Sequence, residues 1–72
     1  MASYNGHKNW NHWNVSLWIN NDEGLYGTAT DALRNWGSKD DAARAMLAVL
    51  PDCTPDGAPY TFSSVRAALV GF

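Results

Sequence analysis

The stretch Ser38-Lys39-Asp40-Asp41-Ala42-Ala43-Arg44-Ala45-Met46-Leu47-Ala48-Val49-Leu50-Pro51 decides the fold class of this chain. Ser38 stands where a helix cap is wanted, and Asp41, three residues on, approximates a capping box with Asp in place of Glu. Ala42, Ala43, Met46, Leu47 and Leu50 then recur at helical spacing and define one apolar face. Pro51 closes the segment, because its ring fixes φ and removes the amide donor.

Working back toward the N-terminus, a second helix is expected from Asp22-Glu23 to about Trp36, with Leu25, Ala29, Ala32, Leu33 and Trp36 along one stripe. Gly37 follows it, where a left-handed C-terminal residue is expected. Asn20-Asn21 separates this helix from an earlier one that opens at Asn9. In that first segment Trp10, Trp13 and Leu17 fall at i, i+3 and i+7, and Val15, Trp18 and Ile19 widen the apolar face. Asn11, His12, Asn14 and Ser16 are indifferent helix formers, so a strand over Val15 to Ile19 is the alternative.

Toward the C-terminus, Pro51 to Pro59 holds three prolines and an Asp-Gly pair and reads as a loop. Thr61 or Ser63 is expected to cap a last short helix with Val65, Ala68, Leu69 and Phe72 on one face. The fold expected is a single all-α domain, a compact bundle of about four short helices, with residues 1–8 flexible.

The chain has 72 residues, a size at which about 60% of the unfolded surface is buried and stability is marginal. Cys53 is the only cysteine, so no intrachain disulfide forms, and one thiol with two histidines falls short of a four-ligand zinc site. The four Trp, three Tyr and two Phe are expected to supply much of the core, since each large ring buries about 150–250 Å². No apolar run approaches the roughly 20 residues that span a bilayer, and the N-terminus lacks an apolar leader. The expected location is therefore the cytoplasm of a bacterial host cell.

Residue patterns for catalysis are missing from the sequence. His7 and His12 stand five apart, off the spacing that shares a helical face, and Cys53 has no neighbouring cation to lower its pKa. The glycines are scattered rather than gathered in a phosphate loop. No metal or cofactor is implied, and a non-enzymatic protein that binds another macromolecule is expected. Seven Asp and Glu against five Lys and Arg give a net charge of −2, which argues against direct nucleic-acid binding.

Short connections favour antiparallel neighbours, which would set Asp22 and Glu23 at the same end as the loop carrying Asp52 and Asp56. Arg34, Lys39 and Arg44 would lie toward the other end beside Asp40 and Asp41, and Arg66 would be the one cation near the acidic end. Such a surface can imitate DNA phosphates toward a basic groove. The partner-binding set expected is Asp22, Glu23, Asp52 and Asp56, with Asp31, Asp40 and Asp41 as lesser candidates. The competing expectation is that these acids only cap helices and make turns.

The run Trp13-Asn14-Val15-Ser16-Leu17-Trp18-Ile19-Asn20-Asn21-Asp22-Glu23-Gly24-Leu25-Tyr26, preceded by Asn9-Trp10-Asn11, resembles a motif of small proteins encoded by phages and other mobile elements. Within that group the chain is most similar to type I-C anti-CRISPR proteins. The resemblance implies a stoichiometric inhibitor that binds the bacterial surveillance complex, at its large DNA-recognising subunit of the Cas8 type, and blocks DNA docking. It also implies that Trp13, Trp18 and Tyr26 build the fold rather than touch the partner. Alternatives are an antirestriction factor or inhibitor of another DNA-binding protein, and a small accessory protein that self-associates through surplus aromatic surface.

Overall fold

The computed structural model describes residues 7–72. It contains helices α1 (Trp10–Asn21), α2 (Glu23–Asn35), α3 (Lys39–Val49) and α4 (Phe62–Ala68), closed by a 3-10 turn over Leu69–Gly71. The all-α expectation holds, and Val15 to Ile19 is helical rather than extended. The expected flexible segment, 1–8, falls mostly outside the described residues.

Helices α1, α3 and α4 each begin on a side-chain acceptor. Asn9 takes the His12 amide at 2.9 Å and starts α1. Ser38 takes the Asp41 amide at 3.1 Å and starts α3. Thr61 and Ser64 form a reciprocal capping box at α4. At α3 only the serine half of the box is made, because the Asp41 carboxylate turns to Arg44, 3.2 Å away. Trp36 leaves α2 in an extended conformation with φ −119°, and among the described glycines only Gly57 has a positive φ. The left-handed exit expected at Gly37 is therefore not used.

α3 lies against α2 on one side and α4 on the other, and α1 completes the bundle by packing on α2 and α4. The α3–α4 pair is antiparallel. Arg44 stands over the Phe62 ring, Arg66 meets Asp40, and Lys39 donates to the Val70 carbonyl. Val15, Ile19, Met46, Val65 and Leu69 form the larger part of the core, and Ala29, Ala32, Ala42, Ala43, Ala58 and Ala68 fill the rest. Leu25, Leu33, Leu47, Leu50, Tyr60 and Phe72 pack around it.

Two expectations about the core need correction, although Val15 and Ile19 of the expected α1 face are buried. The buried face of α1 is His12, Asn14, Val15, Ser16 and Ile19, while Trp10 and Leu17 of the expected stripe are 40% and 39% exposed. No Trp, Tyr or Phe among the described residues is fully buried, and Trp36 is 51% exposed. The physical reason is size. Alanines at the helix contacts bring the axes too close for an indole between them, so the rings lie along outer seams. Tyr26 and Phe72, for instance, tilt against each other with centroids 5.1 Å apart at the edge of the bundle.

The glycines of the loop and of α2 give a paired expectation. Gly57 has φ +96° and open space where a Cβ would sit, so Gly57→Ala costs conformation alone, about 1–2 kcal/mol. Gly27, inside α2, also has open space and gains about 0.5–1 kcal/mol from Ala. Thermal melts should therefore move in opposite directions for the two variants; equal shifts would mean that backbone conformation does not set either effect.

Candidate functional site

The loop between α3 and α4 is tied to α1 by a chain of polar contacts. Thr54, Pro55, Asp56 and Gly57 form a turn closed by the Gly57 amide donating to the Thr54 carbonyl at 2.8 Å. Gly57 in its left-handed conformation then lets the chain return, and the Thr54 amide donates to the Ala58 carbonyl at 2.8 Å. The Ala58 amide in turn donates to the Thr54 hydroxyl at 3.1 Å, and both residues are buried. The hydroxyl donates onward to Asn14 Oδ1 at 2.6 Å. Asn14 Nδ2 and Trp18 Nε1 both donate to Asp56 Oδ2, at 2.8 and 2.9 Å.

This latch explains why α1 buries polar residues. Asn14 is 1% exposed, and all of its side-chain partners come from one loop about 40 positions away. His12 is buried beside it, with Nε2 2.9 Å from Ser63 Oγ at the start of α4. The two donors hold the Asp56 carboxyl below the usual carboxylate range. Its contribution to stability is therefore present above that range and lost as pH falls through the lowered folded value.

The described acids divide into two groups. Asp31, Asp40 and Asp41 are each bridged, to Arg34 at 3.4 Å, Arg66 at 2.6 Å and Arg44 at 3.2 Å. Asp22, Glu23, Asp52 and Asp56 meet no cation among the described residues. The three lesser candidates are thus ion-paired, and the four principal candidates are not.

Trp18 and Tyr60 each relate to two members of the principal set. The Asp22 amide donates to the Trp18 carbonyl at 2.9 Å, and the Trp18 indole holds Asp56. The Tyr60 amide donates to the Asp52 carbonyl at 3.0 Å, and the Tyr60 phenol has its pKa raised by burial first and then by the charge of Asp22. Glu23 follows Asp22 in the first turn of α2.

Their roles differ. Asp22 occupies the N-cap of α2 but makes no side-chain capping bond, so its carboxylate is not consumed by the helix. Asp56 is a structural pin as well as a charge, with one oxygen engaged twice. Arg66 corrects the expectation that it approaches this group, because α4 carries it to Asp40 at the start of α3. Sequence reasoning missed Asn14 and Trp18 as partners of Asp56, and Thr54 as the partner of Asn14. The available signal was a run of poor helix formers at Asn11, His12 and Asn14, which implied that tertiary contacts hold the helix.

A shallow groove of about 370 Å³ opens beside this region, lined by Leu17, Trp18, Asn21 and Asp22. A second depression of about 370 Å³ lies between α2 and α3, with Ala32, Trp36, Met46 and Val49 among its lining. No described group of three His, Cys, Asp or Glu side chains converges as metal ligands, and no described helix is long and apolar enough to cross a membrane.

His12 supplies a pH expectation. Its pKa is lowered, first by burial and then by the charges of Lys8 and His7. The unfolded chain therefore takes up this proton at a higher pH than the folded one. Stability present above about pH 6.5 should decline as pH falls toward the lowered folded value. Melting curves between pH 7.5 and 4.5 should show that decline, and His12→Gln should flatten it. An unchanged slope in the variant would assign the acid sensitivity elsewhere.

The chain belongs to a family of unknown function, DUF7249, whose family model matches residues 1–68. No curated protein and no solved structure matches it.

Proposed function

We propose that this DUF7249 protein is a non-enzymatic inhibitor of a bacterial type I-C CRISPR surveillance complex. It binds the large DNA-recognising subunit, of the Cas8 type, through its acidic surface and blocks docking of target DNA. It acts without metal or cofactor, in the cytoplasm of the bacterial host. One observation carries most of the weight: Asp22, Glu23, Asp52 and Asp56 keep their charge while the remaining acids are paired. A net charge of −2 then understates the field that a basic groove meets at this surface. The motif from Trp13 to Tyr26, which includes Asp22 and Glu23, supports the same reading.

The test is retention of a purified type I-C surveillance complex on the immobilised protein, with and without target DNA. Retention that DNA competes away is the expected result. Absence of retention overturns the assignment and leaves another basic host protein, such as a restriction or DNA-binding factor, as the target.

A second reading rests on exposed apolar surface. Trp36 and Val49 are 51% and 72% exposed and line the depression between α2 and α3, a feature suited to weak homo-oligomerisation. Sedimentation at micromolar concentration tests it, and a strict monomer removes it. Self-association through this face is compatible with inhibition through the acidic one.

A further inference from the structure

The groove over the last turn of α1 is mainly apolar with a narrow polar edge. Leu17, 39% exposed, and Trp18 supply apolar and aromatic surface, and Asn21 and Asp22 supply polar edges. The Asn21 amide is already committed, donating to the Leu17 carbonyl at 2.8 Å. The Asp22 carboxylate is not, since it neither caps α2 nor meets a cation among the described residues. Asp56 adds a further negative charge across the Trp18 indole.

An anionic ligand is repelled by this arrangement, and a purely apolar one leaves Asp22 desolvated without compensation. A lysine ammonium can sit over the ring face but is strongly hydrated and has no planar fork with which to stack and pair with a carboxylate at once. An arginine guanidinium matches all the parts: its stem covers Leu17, its plane stacks on an indole, and its fork pairs with a carboxylate. We infer that the groove formed by Leu17, Trp18, Asn21 and Asp22 is the docking site for a single arginine side chain of the partner protein. The inference rests on the reading that the acidic surface meets a basic protein, and it names the contact at the centre of that surface. Around this anchor Glu23 and Asp52 act at longer range, steering the encounter rather than fixing it.

The test is made without the partner, so that its outcome separates from that of the complex-binding experiment. N-acetyl-arginine amide is titrated into the full chain at low ionic strength, with the citrulline and lysine analogues as controls, and followed by amide and indole resonances. Expected are saturable shifts of the Trp18 indole and of the Leu17, Asn21 and Asp22 amides, with a dissociation constant of about millimolar for one side chain. The citrulline analogue should produce no such shifts, and the lysine analogue should bind at least about fivefold more weakly. Asp22→Asn should weaken arginine binding by a similar factor while leaving the other resonances in place, because that carboxylate supports no structural bond.

Absence of these shifts overturns the inference. So do equal shifts with citrulline, or shifts spread evenly over all acidic residues, which describe ring stacking and a loose counterion cloud respectively. If arginine binds the groove but the surveillance complex is not retained, the groove stands and the named partner falls. If the complex is retained and arginine leaves the groove unperturbed, the inhibitor reading stands and the arginine site falls.

Discussion

Asn14→Ala is expected to lower the melting temperature by roughly 10–20 °C, the largest loss from any single polar side chain in the molecule. Asn14 is 1% exposed and joins Thr54 to Asp56. Without it the Thr54 hydroxyl, in a residue 2% exposed, loses its acceptor, and a buried group left without a partner costs about 1–3 kcal/mol. The loop also loses its hold on α1, leaving the Trp18 indole as the remaining tie to Asp56. A domain of this length has only about 4–11 kcal/mol of stability in all, so the variant approaches the unfolding threshold. Adding Thr54→Val isolates the cause. In the Asn14→Ala background the second change should cost less than it does alone, because the donor it removes is already orphaned. Strict additivity would mean that the two side chains act separately and that the latch is not a unit.

Reversing two charges, Asp22→Lys with Asp52→Lys, is expected to weaken binding to the surveillance complex by at least about 100-fold, since like charges brought together cost several kcal/mol. The same variant should melt within about 8 °C of the parent, because Asp22 makes no capping bond and a cation at the α2 N-terminus costs only about 0.3–1 kcal/mol. The choice of residues follows from the structure. Asp22 makes no capping bond, and Asp52 is engaged through its backbone carbonyl rather than its side chain. Asp56 is left untouched because its loss loosens the loop and confounds the readout. Two measurements, retention of the complex and a thermal melt, therefore separate the roles. A variant that stays folded and still binds removes the acidic surface from the mechanism, and a variant that unfolds assigns Asp22 and Asp52 to architecture.

The parts of the fold that were legible in the sequence are those governed by local chemistry. Ser38 and Thr61 cap the helices they precede, Pro51 follows the end of α3, and Ala42, Ala43 and Met46 face inward as their spacing implied. What the sequence misdirected was the face of α1. Hydrophobicity pointed to Trp10, Trp13 and Leu17, but a side chain is buried when its partners are there to receive it. For His12 and Asn14 those partners come from Ser63, Thr54 and Asp56, some 40 to 50 positions away. Periodicity within twelve residues holds no information about them. The same limit applied to Arg66, whose partner depended on how far α4 runs along α3.

The six buried alanines have a consequence for how this protein can change over time. Ala29, Ala42 and Ala43 have no accessible surface, so almost any heavier replacement must push helices apart, and the same holds at Ala58 for the loop packed on them. Substitution is thereby tolerated on the outer seams, where the large rings and unpaired acids stand, and resisted in the interior. A chain arranged in this way can be altered on its exterior, ring by ring and acid by acid, without losing its architecture.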